Sequence, residues 1–245
     1  MSDSKKIALI TGANKGIGFE IACQLGAQGI IVLVGARDQA RGDEAARRVQ
    51  SEGIEARAVL LDVTDQATIS RVASFIDETY GKLDILVNNA GISFREGGVP
   101  PSELDVEVFR RTYDTNVFGV FAVTKAMLPL LRRSDAGRIV NMSSSVGSLT
   151  LNSDPNSFYA QMPPLLAYCS SKTAVNAITV FFANELRQTN IKVNSVSPGY
   201  VATDLNDHTG FLTPQQGAVL PVTFATLLAD GPTGGFFEGS EAVPW

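Results

Sequence analysis

The chain has 245 residues, 44% of them hydrophobic and 18% charged, with a formal net charge of −5. That balance describes a folded chain with a sizeable core and excludes a disordered segment. The acidic net charge excludes a broad nucleic-acid footprint but leaves room for a small basic pocket holding one phosphate. Cys23 and Cys169 are the only cysteines and make no disulfide framework. The opening "MSDSKK" and the run "IALI" are too short for a signal peptide or a membrane span. A reducing, cytoplasmic setting with no membrane partner is the expectation. His208 is the only histidine, and no G-x-S-x-G elbow occurs, so a Ser-His-Asp hydrolase has little to stand on. No ligand cluster suggests a metal site.

Short apolar runs rich in β-branched residues alternate with amphipathic stretches. Strands are expected at Ile7–Ile10, Ile30–Val34, Ala56–Leu61, Leu83–Val87, Arg138–Met142 and Lys192–Val196. Their near-continuous apolarity points to burial on both faces, as in a parallel sheet. Helices are expected at Ile17–Gln28, Gln39–Glu52, Gln66–Tyr80 capped by Asp65, Leu104–Leu131 with a disturbance near Pro129, and Leu165–Thr189. A last helix opens at "TPQQ", with Thr213 and Gln216 as a capping box. The unbroken βα alternation predicts one α/β unit over residues 1–245. It is a Rossmann-type doubly wound parallel sheet of about seven strands with helices on both faces. Three long segments, 92–102, 146–164 and 200–213, follow strands and so converge on the carboxyl edge of the sheet, where substrate loops are expected.

"TGANKGIG" joins the first strand to the first helix. Gly12, Gly16 and Gly18 permit a tight turn and close backbone approach to a pyrophosphate, and the helix N-terminus offers N–H groups to it. Asn14, Lys15 and Ile17 share the turn. The second strand ends in "LVGARD". An acidic residue at that place holds a ribose 2′-hydroxyl, whereas arginine fits a 2′-phosphate. Arg37 together with Lys15 favours NADP(H), although Asp38 could instead point inward and hold a ribose. Asp62 and Val63 end the third strand and suit an adenine, unless Asp62 only satisfies local backbone donors. Asn88 and Asn89, polar at the end of a buried strand, must be hydrogen-bonded, with locking of the central strands as the simplest role. Ala90 and Gly91 leave space for a ribose.

Tyr168 and Lys172 stand four apart, a spacing that any helix can offer. Taken with "TGANKGIG", "DV" at Asp62, "NNAG", "DTNVFG", "NMSSSVG" and "SVSPGYVATD", however, the chain resembles the short-chain dehydrogenase/reductase family from Ile7 to about Thr203. "GARD" and the tail ending in "VPW" are similar to its carbonyl-reductase-like branch. The resemblance implies a catalytic tetrad of Asn116, Ser144, Tyr168 and Lys172. Ser144 is selected from "SSS" because the family's serine lies three residues before the motif's closing glycine, here Gly147. It also implies cofactor contacts at Pro198, Gly199, Val201 and Thr203 and further contacts from Tyr168 and Lys172. The long interval from Ser144 to Tyr168 resembles the branch in which an insertion covers an oligomerisation surface. A monomer is thereby favoured, with a dimer as the alternative.

Carbonyl reduction needs a hydride on carbon and a proton on oxygen, and NADPH would bring the hydride. Tyr168 would supply the proton, with Lys172 and the oxidised nicotinamide lowering a phenol pKa of about 10. Ser144 would donate to the developing alkoxide, and Asn116 would fix a water leading to Lys172. Phe94, Val146, Phe158, Tyr159, Tyr200, Leu205 and Phe211 on the long loops suit a small hydrophobic ketone, aldehyde or alcohol. The rival readings are an NADP(H)-binding sensor or scaffold without turnover and a same-fold epimerase or dehydratase.

Overall fold

The structure is a computed structural model that describes residues 5–245. Met1–Ser4, the start of the segment judged too short for a signal peptide, lie outside the described residues. The strands are β1 (Ile7–Ile10), β2 (Ile31–Ala36), β3 (Ala56–Leu60), β4 (Ile85–Asn88), β5 (Arg138–Met142), β6 (Lys192–Ser197), β7 (Phe236–Glu238) and β8 (Glu241–Ala242). They form one sheet in the order β3-β2-β1-β4-β5-β6-β7-β8. Every neighbouring pair is parallel except β7 with β8. The chain winds outward from β1 to β3, then returns to lay β4 against β1. The order therefore reverses between β1 and β4, which opens a crevice at their carboxyl ends.

The helices are α1 (Gly16–Gly26), α2 (Gln39–Ser51), α3 (Gln66–Tyr80), α4 (Val106–Tyr113), α5 (Val120–Leu131), the short α6 (Leu149–Ser153), α7 (Leu166–Glu185) and α8 (Pro214–Ala225). Period-two alternation along the strands sorts their side chains onto two faces. Ala8, Ile10, Val32, Val34 and Val87 pack with α1, α2 and α8. Ile7, Leu9, Leu33, Leu86 and Ile139 pack with α3, α5 and α7. All four residues of β1 are buried, which explains why its sequence is apolar without alternation. Each such Leu or Ile contributes about 1.5–3 kcal/mol.

Two expectations change. The stretch 104–131 is not one helix disturbed at Pro129 but α4, a π-helical turn at Asp114–Gly119, and α5. Pro129 lies inside α5 and leaves the Lys125 carbonyl without its helical N–H, yet the helix runs on to Leu131. The widened turn coincides with Asn116, whose side chain is drawn to the neighbouring loop, and with Gly119, where an added Cβ would lie 2.8 Å from Val63. The sheet also has eight strands where about seven are expected. β8 has two residues and pairs only with β7, so it carries no periodic signal of its own. Asp65 caps α3, and the Thr213–Gln216 capping box opens α8, both as expected.

Candidate functional site

The carboxyl ends of β1, β2, β4, β5 and β6 surround the crevice. After β1, Gly12 and Gly16 have φ of 64° and 58°, the left-handed region that side chains with a Cβ resist. Beneath the turn, a Cβ on Gly18 would lie 2.4 Å from Asn89 Nδ2. That amide donates to the Thr11 carbonyl at 2.9 Å and the Gly12 carbonyl at 3.2 Å. The backbone N–H groups of Asn89 and Ala90 both donate to Thr11 Oγ1 at 2.9 Å. Asn89 is thus the fastener between the glycine turn and β4. α1 then starts after an extended Lys15 that offers no side-chain cap, so its first N–H groups remain for an anion. Asn14 is half-buried in the turn, and Ile17 faces α8 near Gly217.

Asp38 is occupied elsewhere. Its carboxylate accepts from Arg41 N at 2.9 Å as the N-cap of α2, and it is exposed. Arg37 stands exposed at the end of β2 and makes no ion pair among the described residues. Lys15 instead pairs with Asp204, which His208 also contacts at 2.8 Å. The Lys15 hydrogen bond and charge hold the Asp204 carboxyl below the usual carboxylate range. Asp62 Oδ1 accepts from Thr64 N at 2.9 Å and Thr64 Oγ1 at 2.7 Å, so that oxygen serves a local turn. Val63 is buried against Gly119. Asn88 does lock the strands: its amide donates to Asn141 Oδ1 at 2.8 Å and to Thr124 Oγ1 at 2.9 Å. Beyond β6, Pro198 and Gly199 turn the chain, Val201 is buried and bridges Leu212, and the methyl of Thr203 approaches Gly16.

Asn116, Ser144, Tyr168 and Lys172 come from the π turn, the end of β5 and one face of α7. Lys172 is buried, with Nζ 2.9 Å from the Met142 carbonyl and 5.4 Å from the Tyr168 ring centre. Burial pulls its pKa down to about 8. Tyr168 lies in the half-buried floor of the cleft. Burial pushes its phenol up, Cys169 adds to this, and a hydrogen bond with Ser144 partly opposes it. The direction is opposite to the depression expected from Lys172, because loss of water around the phenol dominates in the fold without its ligand. Both Asn116 amide hydrogens are engaged: Nδ2 donates to the Ile92 carbonyl at 2.9 Å and Ser171 Oγ at 3.0 Å, while Oδ1 accepts from Ile92 N at 2.8 Å and keeps a second lone pair. It ties the loop after β4 to α7, which leaves its side chain no lone donor for a water. A Cβ on Gly91 would stand 3.5 Å from Lys172 Nζ and 3.6 Å from Asn116 Oδ1, so the missing side chain leaves a cradle between them.

A narrow recess of about 10 Å³, room for one water-sized group, adjoins Tyr168 and is lined by Ser93, Phe94, Gly97, Val108, Thr112, Leu165 and Ala167 with no charged group. Of the seven expected loop residues only Phe94 lines it; its ring lies under the Arg111 guanidinium at 4.2 Å. Phe158 and Phe211 are 73% and 79% exposed, and Tyr200 packs edge-on against Phe211 at 5.9 Å. A roomier groove at Arg132, Ser134 and Gln188–Ile191 lies at the opposite edge of the sheet, away from these groups, and Arg132 is already paired with Glu185. Among the described residues no group of three or more His, Cys, Asp or Glu could hold a metal, and no helix is long and apolar enough to cross a membrane. The lining residues Val108 and Thr112 were not expected, because the helix that carries them reads from sequence as a plain amphipathic element.

The sequence model of the short chain dehydrogenases matches residues 6–210. The chain is 35% identical to carbonyl reductase 1 (NADPH) of Rattus norvegicus, covering 100% of both chains. It is 34% identical to salutaridine reductase of Papaver somniferum, covering 97% of this chain and 95% of the relative. The solved structure of salutaridine reductase from Papaver somniferum superimposes with a TM-score of 0.82 over 95% of this chain and 99% of that one, at 33% identity. A gluconate 5-dehydrogenase from Burkholderia cenocepacia, solved with NADP and tartrate, gives a TM-score of 0.83 at 25% identity, over 96% and 93% of the two chains.

Proposed function

The chain belongs to the short-chain dehydrogenase/reductase family, in its carbonyl-reductase-like branch, and from that premise we propose an NADP(H)-dependent reductase of uncharged ketones and aldehydes, working reversibly with Tyr168 as acid and base. The observation that carries the proposal is the grouping of Ser144, Tyr168 and Lys172, with Lys172 Nζ beside the cradle left by Gly91, at the carboxyl edge where the strand order reverses. The residues fit a dinucleotide phosphate. Two left-handed glycines shape the turn, an uncapped helix start faces it, and Arg37 is unpaired where Asp38 is committed to a cap. Arg37 would fork two donors onto the 2′-phosphate, and Lys15 would add a point charge on leaving Asp204.

When bound, the nicotinamide supplies the hydride for the carbonyl carbon. Tyr168 gives its proton to the carbonyl oxygen, and the upward pull of burial keeps the phenol protonated, the state reduction requires. Ser144 donates a hydrogen bond to the same oxygen as negative charge develops. Lys172 would hold ribose hydroxyls through the Gly91 cradle. Asn116 acts as a strut that fixes the loop after β4 against α7, and the second lone pair of Oδ1 would hold a water leading to Lys172. The lining beside Tyr168 and Phe94 carries no charge, which disfavours a carboxylate there.

The test is NADPH oxidation with a panel of aryl and alkyl ketones by wild type and Tyr168→Phe. Loss of general acid catalysis costs about 10²–10⁴ in turnover. A variant that keeps most of its activity would refute the mechanism. Binding of NADPH with no turnover across the panel would favour a sensor instead.

A further inference from the structure

The three serines of "SSS" do three different things. Ser143 points to α7: its backbone N–H donates to the Val196 carbonyl at 2.8 Å and its hydroxyl to Asn176 Oδ1 at 2.7 Å. Ser145 points to the other side. Its N–H donates to Ser197 Oγ at 3.3 Å, and its hydroxyl donates to the Glu238 carboxylate. The register of the sheet puts Glu238 directly opposite Ser197, so one rung of β6 and β7 holds both groups of Ser145. Ser144 lies between these two anchors, with extended backbone and a hydroxyl that caps no helix. The same loop is pinned further along, where Ser148 Oγ donates to the Pro244 carbonyl at 2.6 Å and Thr150 N to the Trp245 carbonyl at 2.9 Å. Trp245 stacks on Phe236, the first residue of β7. Among the described residues Glu238 has no cationic partner, so Ser145 is the group its carboxylate serves.

We propose that Glu238 is a positioning residue for the reaction: by gripping Ser145 from β7 it sets the direction of the adjacent Ser144 hydroxyl. The proposal rests on the reading of Ser144 as donor to the substrate oxygen. A hydroxyl bound to a carboxylate is held more firmly than one bound to a neutral acceptor, and a loop residue with two fixed neighbours has little freedom to swing. Without the grip, Ser144 samples orientations that no longer meet the oxygen, while the cofactor turn on the far side of β4 is untouched.

The test compares Glu238→Ala, Glu238→Gln, Ser145→Ala and Ser144→Ala, with Glu238→Ala also placed in the Ser144→Ala background. The readouts are kcat and KM for a ketone, NADPH affinity by fluorescence titration, and Tm. Glu238→Ala and Ser145→Ala are each expected to lower kcat about tenfold, the low end for a hydrogen bond to a charged group, without weakening NADPH. Glu238→Gln, which keeps an acceptor at the same reach, should recover most of that loss. In the Ser144→Ala background Glu238→Ala should lower kcat no further. An equal loss in both backgrounds overturns the proposal, since Glu238 would then act independently of Ser144. So does an unchanged kcat in Glu238→Ala with Tm preserved. Full turnover by Ser144→Ala alone is a separate result: it removes the donor reading itself, and the proposal with it.

Discussion

Gly91→Ala separates ligand binding from folding. The added methyl carbon would stand 3.5 Å from Lys172 Nζ, 3.6 Å from Asn116 Oδ1 and 3.8 Å from the Asn89 carbonyl. Those are ordinary contacts, and Gly91 is not among the glycines with positive φ, so the fold accepts alanine without strain. Replacing glycine at such a site removes freedom from the unfolded chain and stabilises by about 0.4–1 kcal/mol. For a chain of this length that corresponds to a rise in Tm of about 1–4 °C. A ligand oxygen bound to Lys172 through the cradle must approach to about 2.9 Å, and the methyl excludes it. Losing a hydrogen bond to a charged group costs about 1.5–3 kcal/mol, or about 10- to 150-fold in affinity. Fluorescence titration with NADPH and a thermal melt of the cofactor-free protein read the two effects. A variant that binds NADPH as tightly as wild type would refute the cradle, and a drop of many degrees in Tm would show that the space is structural.

Arg37→Ala should weaken NADPH by about 10- to 150-fold and leave NADH unchanged, as measured by paired titrations; equal effects on both would remove the phosphate assignment. Gly147→Ala contrasts with Gly91→Ala, because its Cβ would lie 2.7 Å from Lys172 Cβ and 2.9 Å from Thr173 N. The backbone of α7 cannot yield, so a loss of about 1–3 kcal/mol and a lower Tm are expected; an unchanged melt would contradict that packing. Lys172→Met tests a linkage to pH. Lys172 titrates at about 8 in the fold against its ordinary 10.5, so the unfolded chain binds more protons between those values and stability rises with pH across that window. The gain is about 3 kcal/mol at most. The Tm of cofactor-free wild type should therefore climb relative to Lys172→Met from pH 8 to 10.5; a constant difference would place the ammonium in water.

Much of this site was legible because its residues combine a local backbone demand with a chemical one. Gly12, Gly16 and Gly18 must lack a Cβ where they stand, whereas Tyr168 and Lys172 share a face of one helix at a spacing any helix offers and gain meaning only beside the other motifs. Arg37 and Asp38 show the boundary of that legibility. Both are polar at the end of β2, and only the hydrogen bond from Arg41 N reveals that the acid belongs to α2. Lys172 Nζ lies 5.4 Å from the Tyr168 ring centre and donates to a carbonyl from β5, a contact that no local pattern encodes.

The same reasoning explains why "SSS" could be reduced to one serine only by family resemblance. Three identical side chains in succession differ solely in what meets them. Those partners come from Asn176 on α7, from Tyr168 and, for Ser145, from a strand that begins more than ninety residues later. β7 is three residues long and pairs with the last three of β6, so its existence depends on β6 offering an edge. Its sequence "FFE" after two glycines has no periodicity to recognise. Once that edge forms, Glu238 is placed opposite Ser197 with no further choice, because parallel register fixes every side chain along the strand. The tail therefore contributes to the Ser144 loop through sheet geometry rather than through any motif. Substitutions in β7 should accordingly act on kcat before they act on cofactor affinity.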